Sequence, residues 1–205
     1  MWIFEIIGIV VTTAFALFFF LYFVYQLLKT EAEPVVSAES MPNLRPIPIP
    51  TKNCPRGMRV LIWFYEVRKW TLTDNWTYRL KDGPVIVLPA GFFFDGASIP
   101  RPFWAILNPI GLLLIPGLIH DYGYKYDQLW QLDGDGQVSP YGQGAGKAHW
   151  DRLFLDIGRE VNGFRLINAV AWLAVALGGD AAWKAHRKNA AVPDRPETGT
   201  EGPEP

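Results

Sequence analysis

The chain has 205 residues, half of them hydrophobic and 15% aromatic, with only 19% charged, which suffices for one sizeable core but not for two. Nineteen basic against 20 acidic residues leave a formal net charge of -1, so no long-range field attracts nucleic acid, which is disfavoured as a partner. The single Cys54 excludes an intramolecular disulfide framework and a thiolate zinc cluster.

From Trp2 to Leu28 the chain reads WIFEIIGIVVTTAFALFFFLYFVYQLL, with Glu5 as its only charge. At a helical rise of about 1.5 Å per residue this stretch exceeds a hydrocarbon core of about 30 Å. We read residues 1–29 as a transmembrane anchor. A cleaved signal peptide would need a basic start and a short apolar region, and a core helix would bury an unbroken hydrophobic cylinder ahead of a proline-rich segment. The basic residue beside the span is Lys29, on its carboxyl side; under the positive-inside rule it favours a cytoplasmic body.

Residues 30–56 are proline-rich, including RPIPIP, and resist helix in favour of an extended, semi-rigid tether. Within the body, 57–188, the stretches RVLIWFYEV, KWTLTDNWTYRL and PVIVLPAGFFF are rich in β-branched and aromatic residues between turn-forming joints such as KDG, and predict antiparallel strands. The period then changes, and PRPFWAIL, GLLLIPGLIHDYGYKY, GKAHWDRLFLDIGREV and FRLINAVAWLAVALGGDAAWKAHRK predict helices. Strands followed by helices give an α+β domain: a short antiparallel sheet followed by packed helices. LINAVAWLAVALGG is too short to cross a bilayer unaided and reads as a buried helix. PFWAILNPIGLLLIPGLI is longer but is interrupted by Pro109 and Pro116, and reads as core or as a re-entrant or interfacial surface. The tail, 189–205, is polar, acidic and rich in proline, and is expected to be disordered.

Three places carry chemistry. In PGLIHDYGYKYD, His120 and Tyr124 lie four apart and share a helix face, while Asp121 points about 100° away, so the adjacent His and Asp are expected to find separate partners. On the next helix Trp150, Phe154, Ile157 and Val161 form an apolar stripe with Asp151 at its border, whereas Asp156 and Glu160 face solvent. An imidazole with a carboxylate on a packed neighbour is the minimum apparatus of a general base. In AGFFFDGASIP, Asp95 and Gly96 make a tight turn where a carboxylate and backbone carbonyls converge, as calcium coordination requires; a turn in which Ser98 or Asp95 caps the following helix is the alternative.

VLPAGFFFDGASIPRPFW, HDYGY and KAHWDRLF resemble, in order and spacing, a phage-associated family catalogued as a domain of unknown function, number one-three-five-three. The resemblance covers roughly 67–183. Phe94 stands where that family usually has Thr, Gly96 replaces a frequent aromatic, Lys147 stands for Arg, and QLDGDGQVSPYGQGAG resembles an insertion. The His-Asp-x-x-Tyr helix followed by a helix bearing Asp is also similar to the small bacterial secreted phospholipases A2. That similarity implies His120 as the base that activates water, Asp151 as its orienting carboxylate, Asp121 and Asp95 as calcium ligands, and Tyr124 as a buttress, with the apolar segment 103–119 admitting a lipid chain.

Two functions are therefore expected. The first is a membrane-anchored, calcium-dependent phospholipase-like hydrolase whose partner is membrane lipid. The second is a non-enzymatic phage or prophage membrane protein, acting in lysis, envelope modification or superinfection exclusion through a phage or host envelope protein. In the second, His120, Asp121, Asp151 and Tyr124 only lock two helices together.

Overall fold

The computed structural model describes residues 2–29, 35–37, 39–49, 51–65, 69–95, 111–189 and 192–196. The chain divides into two compact units, 1–34 and 35–205. The first is built on α1 (Trp2–Leu28), whose stretch Phe4–Leu28 is long and apolar enough to cross a membrane and is buried nowhere against protein.

The second unit combines two antiparallel sheets with helices. β1 (Leu44–Pro46), β2 (Trp70–Leu72) and β5 (Phe93–Phe94) form one sheet in the order β1-β2-β5. β3 (Trp76–Arg79), β4 (Val85–Leu88), β6 (Leu129–Leu132) and β7 (Val138–Tyr141) form the other in the order β3-β4-β6-β7. The expected α+β class holds. The KDG joint closes the β3–β4 hairpin, with the Leu80 N–H donating to Pro84 O at 3.1 Å.

One stretch differs from expectation, and three others carry structure of their own. RVLIWFYEV is not a strand over its first part but belongs to α2 (Arg56–Tyr65). Its apolar run does not alternate, and Pro55 immediately before Arg56 suits a helix start. Within the expected tether, β1 pairs with β2, Ser40 O accepts from Trp76 Nε1 at 2.7 Å, and Val36, Met41 and Leu44 pack on the core. The stretch resembling an insertion, 131–146, carries most of the β6–β7 hairpin, whose DGDG turn is closed by Asp133 N–H to Gln137 O at 2.9 Å. Residues 192–196, within the expected disordered tail, lie against that hairpin: Trp130 Nε1 donates to Asp194 O at 2.9 Å and Arg195 to Val138 O at 2.9 Å. The expected helix PRPFWAIL lies outside the described residues.

The helices are α3 (Leu114–Tyr126), α4 (Lys147–Asn162), α5 (Arg165–Gly178) and α6 (Asp180–Asn189). α3 is central and almost wholly buried. Leu118, Ile119 and Tyr122 are 0% exposed and join Ile86, Leu88, Leu129, Trp150 and Ile157 in the main core. Within the segment expected to admit a lipid chain, residues 113–119 are therefore taken up by the domain's own packing, Gly111 and Leu112 are exposed, and 103–110 lie outside the described residues.

Close helix approach rests on glycine. A Cβ on Gly123 of α3 would meet the Trp150 ring at 2.6 Å, and one on Gly179, between α5 and α6, would collide with the Tyr124 hydroxyl. Asp127 ends α3 in the left-handed region, at φ 55°. Its Oδ1 accepts from the Gly146 N–H at 2.9 Å and from Trp150 Nε1 at 2.8 Å, tying the end of α3 to the start of α4.

Candidate functional site

α3 and α4 meet through their buried faces, which places the imidazole of His120 (6% exposed) against the carboxylate of Asp151 (4% exposed). The apolar stripe read from the sequence produces this: Trp150, Phe154 and Ile157 are buried, and Asp151 at its edge turns inward with them. His120 Nε2 donates to Asp151 Oδ1 at 3.0 Å. The other oxygen, Asp151 Oδ2, accepts from Lys147 Nζ at 2.8 Å, one turn earlier on α4.

Lys147 is anchored in turn. Its ammonium donates to Ala176 O at 2.7 Å and Val175 O at 3.4 Å, carbonyls in the last turn of α5, where the helix dipole favours a cation. It also lies 3.5 Å from the exposed carboxylate of Asp180 at the start of α6. One ammonium thus joins α4, α5 and α6.

Asp121 departs from the expectation that neighbours on α3 cannot meet. Its Oδ1 stands 3.6 Å from His120 Nδ1, because side-chain rotation closes the angle that separates the two Cβ directions. That distance is an ion-pair contact and too long for a direct hydrogen bond. Among the described residues, Asp121 Oδ2 is buried without a hydrogen-bond partner. A run of alternating charge results: Asp121, His120, Asp151, Lys147.

The charges shift one another. Burial alone would lower the pKa of His120, but the carboxylates of Asp121 and Asp151 outweigh it and the net shift is upward. Burial would raise Asp151, yet His120 and Lys147 pull it below the usual carboxylate range. Burial would lower Lys147, and its bond to Asp151 raises it instead.

Tyr124 stacks on His120 with ring centroids 4.5 Å apart and meets Trp183 edge-on at 5.0 Å. Phe154 also meets the imidazole edge-on, at 5.5 Å. Among the described residues the buried Tyr124 hydroxyl has no hydrogen-bond partner within bonding geometry. Burial first, then the charge of Asp151, raises its pKa.

Asp95 follows β5 and is half-buried; Gly96 and Ser98 lie outside the described residues. Among the described residues no group of three or more His, Cys, Asp or Glu side chains is arranged to hold a metal. What this site offers a cation is the unpartnered buried oxygen of Asp121, a hard donor of the kind calcium takes. Asp156 is exposed as expected, whereas Glu160 is half-buried; burial of Tyr78, followed by the charge of Glu160, raises that hydroxyl's pKa.

Sequence reading missed Lys147 and Asp127 as organising residues. Lys147 was legible in KAHWD, where a cation four residues before an acid on a helix predicts their pairing. Asp127 carried no local signal, since its partners Gly146, Trp150 and Arg187 lie far along the chain.

A family model described as "Protein of unknown function (DUF1353)" matches residues 70–175, a stretch that contains Asp95, His120, Asp121, Tyr124, Lys147 and Asp151. No curated protein and no solved structure matches the chain.

Proposed function

The chain belongs to the DUF1353 family, and we propose that this member is an ester hydrolase acting on phospholipid, with His120 as general base. The observation that carries the reading is the division of labour at the imidazole. Nε2 is taken by Asp151 at 3.0 Å, while Nδ1 has no direct hydrogen bond to Asp121 and stands 3.6 Å from it. A neutral His120 that donates from Nε2 presents a bare Nδ1 lone pair, the arrangement required to accept a proton from water.

Asp151 fixes that tautomer and stabilises the imidazolium formed when the proton arrives, and Lys147 holds Asp151 in register. Tyr124 and Phe154 limit rotation of the ring. Asp121 would hold calcium through its unpartnered oxygen; the ion, when bound, polarises the ester carbonyl and offsets the charge on its oxygen. Asp95 is the second proposed ligand.

The test is fatty-acid release from phospholipid vesicles carrying the full-length protein. The expected result is release that requires calcium, falls about 100-fold or more in His120→Asn, and is lost in Asp121→Asn. A His120→Asn variant that retains full activity overturns the base assignment.

A second reading rests on a different observation. His120 is only 6% exposed and both its nitrogens face carboxylates, which suits a permanently protonated imidazolium locking α3 to α4 in a non-enzymatic head that binds a phage or host envelope protein. Wild-type protein that releases no fatty acid, with His120→Asn unfolding at lower denaturant, would select this reading.

A further inference from the structure

We infer that the outer face of α5 is a second membrane-contact surface, by which the folded body lies on the lipid bilayer. α5 was expected to be buried, but only its inner side is. Asn168 and Ala171 are buried, and Ala171, Trp172 and Val175 pack with Leu113 and Phe154. On the opposite side Leu166, Val170, Leu173 and Leu177 are 74%, 45%, 49% and 75% exposed.

These four recur at the spacing of one helix face, and every exposed position from Leu166 to Leu177 is apolar. A helix on the surface of a water-soluble domain carries polar residues there, and a helix apolar all round belongs in a core or in lipid. The inner face already has its core. Exposed Phe164 and Leu112 extend the patch at the start of α5, where Asn162 ties the two segments by donating to Leu112 O and accepting from the Phe164 N–H, both at 2.8 Å.

Lipid is favoured as the occupant by two further observations. The same chain carries α1, whose stretch Phe4–Leu28 is long and apolar enough to cross a membrane, and such a span would hold the body at a bilayer surface. Cations also flank α5 along the chain, with the acid Asp180 between them. Arg165 opens α5, and after a 56° bend α6 presents exposed Lys184 and Lys188, one turn apart. Such flanking residues suit anionic headgroups. At 1.5 Å per residue α5 reaches only about 21 Å, so it lies in the interface rather than spanning the bilayer.

The inference is independent of hydrolysis and is tested without it. In full-length protein carrying Cys54→Ser, nitroxides are placed by Leu173→Cys, by Leu177→Cys and, as an exposed control on α4, by Asp156→Cys, in vesicles of phosphatidylcholine and phosphatidylglycerol. At 173 and 177 we expect collisions with oxygen to exceed those with a water-soluble nickel chelate, and the reverse at 156. Charge reversal by Lys184→Glu with Lys188→Glu should weaken the preference at 173. Access of the chelate to 173 equal to that at 156 overturns the inference, as does shielding of 173 from both reagents, which would mark contact with a second copy or another protein. In unmutated protein, a photoactivatable phospholipid should leave adducts within 164–177 as well as on α1; adducts on α1 alone overturn the inference.

Discussion

Around His120 the protein buries charge, whereas along the outer face of α5 it exposes hydrocarbon. Both reverse the usual placement, and the difference lies in their partners. Each interior charge has an opposite within reach: His120 has Asp151 at 3.0 Å and Asp151 has Lys147 at 2.8 Å. The outer face of α5 is left open at Leu166, Val170, Leu173 and Leu177. An interior charge is tolerated because it is matched locally. An exposed apolar face points instead to something outside the domain. Among the described residues Asp121 Oδ2 is a carboxylate oxygen buried without a hydrogen-bond partner, and it is accordingly the place where a ligand is proposed.

Variants that unmatch the interior should therefore be expensive, and variants at ordinary surface positions cheap. Asp151→Ala leaves His120 and Lys147 without their shared counter-charge, and should cost about 3–5 kcal/mol in denaturant unfolding of the full chain. Lys147→Met removes one charged hydrogen bond to Asp151 and the links to α5, with an expected loss of about 1.5–3 kcal/mol. Lys147→Arg, which keeps the positive charge, should recover most of that loss; failure of Arg to recover it would mean that the ammonium matters for more than pairing.

The pH dependence sharpens the same contrast. His120 is raised in the fold, so its contribution to stability is complete below the ordinary value of 6.5 and fades as pH rises through the folded value. Asp151 is lowered, so its contribution is present above 3.8 and is lost as pH falls through its folded value. Unfolding measured across pH should show the interior strongest between those limits, and His120→Asn should flatten the upper slope. The smallest effect belongs to the surface. Arg152 and Asp156 pair at 3.2 Å across one turn of α4 with both side chains exposed, and Arg152→Ala should change unfolding by no more than about 0.5 kcal/mol.

Much of this interior was legible in the sequence, because helical period survives translation into packing. Trp150, Phe154 and Ile157 identified the inward face of α4, and with it the direction of Asp151. The rest was hidden for identifiable reasons. Lys147 read as a departure from a motif rather than as the residue holding Asp151. The approach of Asp121 to His120 depends on side-chain rotation, which backbone period does not encode. α2 was taken for a strand because its composition is β-like, although its run does not alternate. α5 was assigned to the core on length alone; its exposed positions, all apolar from Leu166 to Leu177, fit lipid contact equally well.

The division of labour at His120 is tested most directly by the tautomer of that ring, measured by ¹⁵N NMR of labelled full-length protein at a pH where the imidazole is neutral. The account predicts a proton on Nε2, donated to Asp151, with Nδ1 bare. A neutral ring protonated on Nδ1, with Nε2 bare against Asp151, would contradict it.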